Sequence, residues 1–367
     1  MARDELHEAQ APPLNAPAST DGTSTVQPDA PPAEAPREPV RSVRTVINGL
    51  SDRLLQHPQA GLVVALILFS AIITLSNSLF LSHNNIIEIL RSAVYIFIIG
   101  VASTFVFVAG GLDLSVGSLL AVGSIGTASM LVHGVPVIPA ILIGIAFGAA
   151  AGLVNGLIIV YLGIPPLITT LGMLYVAQGT ITVVTGGVPL YPFPDSFNEI
   201  GQGDLFGVPY LVLYAIAVGV IGHVVLEYTK FGYDVRATGG NRDAARAAGI
   251  KVNRVGIAVY VLSGLSASFS GMLLASQLGS GQPSVGSTTE LQVIAAVIIG
   301  GTSLFGGIGT IVGTALGALL LSTITDGLVL LSLDPAYQNI VVGLVIVLAV
   351  GIDRLRRARM WKRSMAR

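Results

Sequence analysis

The chain has 367 residues, of which 52% are hydrophobic and only 11% charged, about half the charge of a soluble domain. Residues 114–194 contain no Asp, Glu, Lys or Arg, a run that a soluble protein of this length could not hide, whereas a membrane span needs ~20 apolar residues. The net charge of −1 decides little, and the lack of cysteine excludes disulfides, thiol catalysis and Cys-ligated metals.

Residues 1–53 are a different material. Eight prolines lie between Pro12 and Pro39, among Ala, Ser, Thr and acids. Such a segment cannot bury enough apolar surface to order itself. With no apolar centre behind a basic start, it does not read as a signal peptide. It is expected to be a disordered tail.

The apolar segments then follow in order. Residues 61–81 form the cleanest span, and 83–91 a short amphipathic stretch. Residues 93–109 are apolar but short, and 114–132 are rich in Gly and Ser. The long segment 137–162 carries Gly144, Gly148, Gly152 and Gly156 every fourth position. That spacing makes a glycine stripe which lets another helix approach closely. Pro165 and Pro166 open the next span, ending near Thr185. A polar loop, 186–207, leads to a span over 208–226. After a basic stretch come 255–278, a polar loop to Glu290, then 291–305, 308–331 and 337–352. The expectation is an all-α bundle of about ten spans. Segments 93–109 and 291–305 are short enough to suggest discontinuous or re-entrant helices, which occur where they line a path through the protein.

Charge orients these spans. Of nineteen basic residues, five lie in 1–53, six in 230–254 and seven in 354–367. Only Arg91 falls elsewhere. Short Lys/Arg-rich loops stay in the cytoplasm, so both termini and the loop 228–254 are expected inside, around a transmembrane domain of residues 54–353. The translocated loops keep acids instead, including Glu199, Asp204 and Glu290, which read either as a docking rim for a partner or as what the topology rule leaves behind.

GGLDLSVGSLLAVGS from Gly110 and GGTSLFGGIGTIVGT from Gly300 share six residues without a gap. A duplicated half-transporter would produce this match, and so would glycine-rich sequence matching itself. Asp113 and Asp326 are the only acids well inside apolar blocks. An intramembrane carboxylate is a functional hypothesis by default. Asp113 reads as a cap for a helix starting near Leu114 that also lines a path. The alternative is a proton-coupled secondary transporter using Asp113 and Asp326. No His/Glu spacing suits a metal, and no serine sits in a nucleophile-elbow context.

The basic loop is the most specific segment. Gly239-Gly240 breaks the chain, Asn241 suits an N-cap, Asp243 the first turn and Gly249 a C-terminal stop. The alanines at 244, 245, 247 and 248 make a small, smooth helix of about two turns. Such a helix in a cytoplasmic loop suggests a knob that enters a groove on a partner.

GGLDLSVGS at Gly110, GGNRDAARAAGI at Gly239 and IIGGTSLFGGIGTIVGT at Ile299 together resemble the ribose/xylose-type permeases of bacterial ABC importers. The resemblance covers about residues 61–352. It implies a multi-pass protein of the bacterial inner membrane, paired with a second permease copy, a cytoplasmic ATP-binding ABC subunit and an extracytoplasmic sugar-binding protein. No cofactor and no nucleic-acid partner is implied. Residues Gly239, Gly240, Asn241, Ala244, Ala245, Arg246, Ala248, Gly249 and Ile250 would then form the coupling helix against the ATPase. Gly110, Gly111, Asp113, Ser115, Gly117, Ser118, Gly300, Gly301, Ser303, Gly306 and Gly307 would shape the pathway. Consistently, the chain has no G-x-x-x-x-G-K-[ST] phosphate loop of its own. Transport would proceed by alternating access, with no covalent chemistry on the sugar.

Overall fold

A computed structural model describes residues 58–334 and, in part, 336–351. The expected N-terminal tail, the basic C-terminal tail and half of the 337–352 span lie outside the described residues. The elements are α1 (Pro58–Ser76), a 3-10 turn (Ser78–Leu81), α2 (His83–Val108), α3 (Val116–Val132) and α4 (Val137–Leu157), which a π-turn extends through Ile158–Leu162. Next come α5 (Pro166–Thr185), α6 (Asp195–Gln202), the strands β1 (Asp204–Leu205) and β2 (Val208–Pro209), and α7 (Tyr210–Tyr228). Then follow α8 (Lys230–Gly240), α9 (Arg242–Ala247), α10 (Val252–Leu278), α11 (Thr289–Ile299) and α12 (Ile311–Leu330). The protein is an all-α bundle with one small hairpin among its described residues.

Seven helices (α1, α2, α4 with its π-turn, α5, α7, α10 and α12) are long and apolar enough to cross a membrane, while α3 and α11 are shorter. The long ones divide by burial. Helices α2, α10 and α12 are mostly enclosed, whereas α1, α4, α5 and α7 are mostly exposed. Their exposed residues are large and apolar, such as Leu68, Tyr175, Val183 and Ile221. A soluble monomer does not display continuous apolar surface of this extent; lipid hydrocarbon accounts for it.

One expectation fails at α2. The amphipathic stretch 83–91 and the apolar stretch 93–109 are one unbroken helix of 26 residues, with Ser82 as its N-cap. Arg91 therefore rides on a span and does not interrupt one. The second short segment behaves as expected: α11 has only 11 residues, and the chain is non-helical until α12. The loop 186–207 is also more ordered than its polarity suggested. It folds the amphipathic α6 over the bundle end, where Phe197 is fully buried and meets Phe193 edge-on at 5.3 Å.

Helix α10 is the axis of the packing, with α4, α3 and α2 against it. The glycine stripe on α4 explains how. A β-carbon on Gly148 would sit 1.7 Å from Ser268 Oγ, and one on Gly152 would sit 2.2 Å from the Tyr260 carbonyl oxygen. Gly156 meets Ile257, and Gly144 meets Thr127 of α3. The backbones touch directly, the arrangement that small-residue repeats permit between helices in lipid.

Candidate functional site

The basic loop comprises two helices, not one. In α8, Thr229 caps the start, and Gly239 and Gly240 form its last residues. The break falls at Asn241, which is extended (φ −157°) and whose side chain accepts from the N–H groups of Asp243 and Ala244 at 3.1 and 2.9 Å. Helix α9 follows and ends at Gly249 (φ +84°), a conformation that favours glycine. Ala244, Arg246 and Ala248 are exposed, Ile250 is half-buried, and Ala245 is buried at 4% exposure. Ala245 therefore packs inside the chain and is not available for the contact expected of it. Ala244 and Ala248 remain on the free face.

Behind this knob two glycine-bearing turns converge. The first follows α2 and the second follows α11. Gly239 lies against the Val108 carbonyl at the end of α2, and Gly307 donates its N–H to that same carbonyl at 2.8 Å. Gly306 (φ +86°) packs on the Gly239 backbone, Gly307 on Gly240, and Gly110 (φ +80°) on Gly239. Arg236 of α8 pairs with Glu227 and donates to the Gly309 carbonyl at 3.3 Å. The basic loop thus grips both turns at once. Arg236 was visible in the sequence only as one of six basic residues in its cluster.

The remaining residues of the two motifs tie these turns into the core. Gly111 lies against the Tyr260 hydroxyl, which donates to the Leu112 carbonyl at 3.3 Å. Gly300 packs on Gly313 at the start of α12. Gly301 has φ +90°, and the buried Ser303 accepts from the Phe305 N–H at 3.1 Å. Asp113 is buried, but it does not cap α3 as expected. Its Oδ1 accepts from the Ser115 N–H at 2.9 Å and from Ser115 Oγ at 2.6 Å, one step before the helix. Ser115 Oγ also receives Asn155 Nδ2 from α4 at 3.0 Å, and Ser118 donates to the Ser115 carbonyl. The carboxylate orders a turn that links α2, α3 and α4. Asp326, on α12, accepts from Asn85 of α2 at 2.7 Å.

At the opposite end of the bundle the three acids separate. Glu199 on α6 and Asp204 on β1 are exposed. Asp204 accepts from the Gly207 N–H at 3.0 Å and so shapes the hairpin turn. Glu290 does not share their surface. It is half-buried in the first turn of α11, and a β-carbon on Gly117 would lie 2.2 Å from its Oε2. Helix N-termini favour acids, so Glu290 belongs to the meeting of α3 and α11. Beside the two exposed acids stands Phe206, 98% exposed at φ 54° on the hairpin tip. An isolated aromatic in a polar loop gave no periodic signal in the sequence.

A cavity of about 350 Å³ does not coincide with the motif glycines. It lies between α2, α10, α11 and α12 and includes Arg91, Tyr95, Gln277, Gln292 and Ser322. Only Arg91 carried a sequence signal, as the basic residue outside every cluster.

Residues 85–350 match the family described as "Branched-chain amino acid transport system / permease component". The chain belongs to this permease family. The permease is 40% identical over 317 residues to the ribose import permease protein RbsC of Bacillus subtilis (strain 168), an alignment that covers 86% of this chain and 97% of that one. It is 33% identical to the galactose/methyl galactoside import permease protein MglC of Escherichia coli (strain K12) over 320 residues, 82% of this chain and 95% of the other. With the D-allose transport system permease protein AlsC of the same strain it shares 34% over 283 residues, 77% and 87% of the two chains. No solved structure matches the permease. The matched range runs from α2 through α12, so it includes both glycine turns and the basic loop.

Proposed function

We propose that this permease is the membrane subunit of an ATP-driven importer that passes a monosaccharide or related polyol, delivered by an extracytoplasmic binding protein, by alternating access. The relatives named above supply the substrate class, since their names specify ribose, galactose and D-allose. The observation that carries the mechanism is the grip of α8 on both glycine turns through Gly239, Gly307 and Arg236. A push on the exposed face of α9 reaches the ends of α2 and α11 without passing through a flexible linker. Both helices also line the 350 Å³ cavity, so a partner that moves α9 can re-aim the walls of a path.

On this reading the basic end faces the cytoplasm, and the chain crosses the membrane about ten times. Helix α9 seats Ala244 and Ala248 in a groove of the ATP-binding subunit, the mode in which a short helix enters a partner. Two permease copies face each other, and lipid covers the apolar outer helices. Glu199, Asp204 and Phe206 form the contact with the binding protein: acids steer association, and an aromatic supplies contact area. Asp113 and Asp326 each bond a different local partner, Ser115 and Asn85, and do not join into one relay.

Affinity purification of the tagged permease, co-expressed with a cognate ATP-binding subunit, tests the assignment. The wild type should retain that subunit, and Ala248→Glu should release it while still inserting in the membrane. Equal retention by both would remove α9 from the contact.

A further inference from the structure

The cavity between α2, α10, α11 and α12 has features that neither its location nor the relatives explain. Ser322 is 2% exposed, lines the cavity, and its hydroxyl has no protein partner. A buried hydroxyl left unpaired is disfavoured by ~1–3 kcal/mol, so its retention points to a partner that arrives from outside the chain. Arg91 adds a second unpaired donor, because its Nε is buried without a partner. The guanidinium instead meets Glu88 one turn away, Nη1 to Oε2 at 3.8 Å. That pairing leaves the two charged groups at the wall balanced, so the cavity has no net demand for an ion. Tyr95 donates its hydroxyl to Gln277 Oε1, which occupies the oxygen and leaves the amide NH₂ as a donor. The floor is apolar, made by Ile96, Leu120 and Leu274. At about 350 Å³ the space falls within the ~300–1,000 Å³ typical of small-molecule sites.

The geometry points to a transit subsite for one uncharged polyhydroxylated molecule within each permease, with Ser322 and Arg91 as hydroxyl-binding groups and the leucine floor against the C–H face of the ring. The inference rests on the transport reading above and adds to it a place where the sugar pauses inside the membrane. It also gives Arg91 a role that the topology rule does not: a basic residue kept away from every basic cluster because the cavity uses it.

The chain contains no cysteine, so single-cysteine variants report one position each. Ser322→Cys is close to isosteric and is prepared in the assembled complex with its ATP-binding subunit, in proteoliposomes. Reaction with uncharged hydroxyethyl methanethiosulfonate is timed with and without D-ribose, D-galactose, L-arabinose or D-allose, with glycine betaine as the osmotic control. Sugar at ~100 mM on a site of ~20 mM affinity lowers the free fraction about six-fold. One of the four sugars should slow labelling of Ser322→Cys by about that factor, and of Gln292→Cys likewise. Betaine should not, and labelling of Ser196→Cys, exposed on α6, should not change. Equal rates at residues 322 and 292 with every sugar, in a complex that takes up one of them, would overturn the subsite and leave the transport reading standing. Failure of either cysteine to react at all would show a cavity closed to solutes and would likewise overturn it. Uptake of none of the four by the wild-type complex supplied with its binding protein and ATP would refute the transport reading, and the subsite with it.

Discussion

Gly239 and Gly240 are adjacent in sequence, and the structure assigns them opposite tolerances. A β-carbon on Gly239 would lie 1.8 Å from the Val108 carbonyl oxygen, 2.8 Å from its carbon and 2.9 Å from the Gly307 nitrogen. Favourable carbon contacts need ~3.5 Å or more, so the α2 end and the second turn must move apart by over ~1 Å. All three atoms are backbone, and none can rotate away. Overpacking of this kind costs about 1–3 kcal/mol. Stretching the Gly307 N–H to Val108 carbonyl bond removes about 0.5–1.5 kcal/mol more, against a gain of up to ~1 kcal/mol from replacing glycine by alanine in a helix. The net loss for Gly239→Ala is about 1–3 kcal/mol, concentrated where the basic loop grips both turns. A β-carbon on Gly240 meets nothing within 4 Å, so Gly240→Ala should be neutral or slightly stabilising. The assay pairs heating in detergent, read as the fraction remaining monodisperse, with ATP-dependent uptake and with ATPase activity in proteoliposomes. Gly239→Ala should melt several degrees lower and hydrolyse ATP with little uptake, while Gly240→Ala should match the wild type in all three. Indistinguishable behaviour of the two variants would refute the idea that this contact transmits motion.

Further expectations concern other positions. Ala245→Glu places a charge in a site that is 4% exposed, which should cost several kcal/mol and lower membrane expression; Ala248→Glu should express normally and fail only in binding the ATP-binding subunit. Asp113→Asn keeps the Oδ1 acceptor for the Ser115 N–H and should retain most uptake, including under a protonophore at matched ATP; loss of uptake in both conditions would favour proton coupling. Neutralising Glu199 and Asp204 together should slow association of the binding protein and flatten its salt dependence, and Phe206→Ser should speed its dissociation, both measured on permease in nanodiscs. Adding Glu290→Gln to the acid pair should not change the association rate further, because Glu290 is packed against Gly117 and is absent from that surface.

Much of this architecture is legible in the sequence because lipid imposes strong rules. The gaps between basic clusters mark the loop, and the four-residue spacing of Gly144 to Gly156 foretells a close helix contact, here with α10 and α3. The cap at Asn241 is readable because an N-cap needs only local chemistry. What was misread depends on tertiary placement. Residues 83–91 read as a separate amphipathic stretch because Glu88 and Arg91 break the apolar run, and only the structure shows both on one long helix at the cavity wall. Glu290 looks like a loop acid until α11 is seen to start in the bundle. Asp113 sits two residues too early to cap α3, whose N-cap position is Ser115, since the turn from Gly110 to Ser115 uses its carboxylate first. The cavity donors Gln277, Gln292 and Ser322 lie on helices α10, α11 and α12, and nothing in their separate contexts shows that they converge.

On the transport reading, ATP hydrolysed on a partner drives a sugar through this permease. This is tested most directly by uptake of radiolabelled D-ribose, D-galactose, L-arabinose and D-allose into proteoliposomes holding the permease with its ATP-binding subunit, with the binding protein and ATP added in turn. At least one sugar should accumulate only when all components and hydrolysable ATP are present, unaffected by collapse of a proton gradient. Accumulation by the permease alone, driven by a proton gradient without ATP, would contradict it.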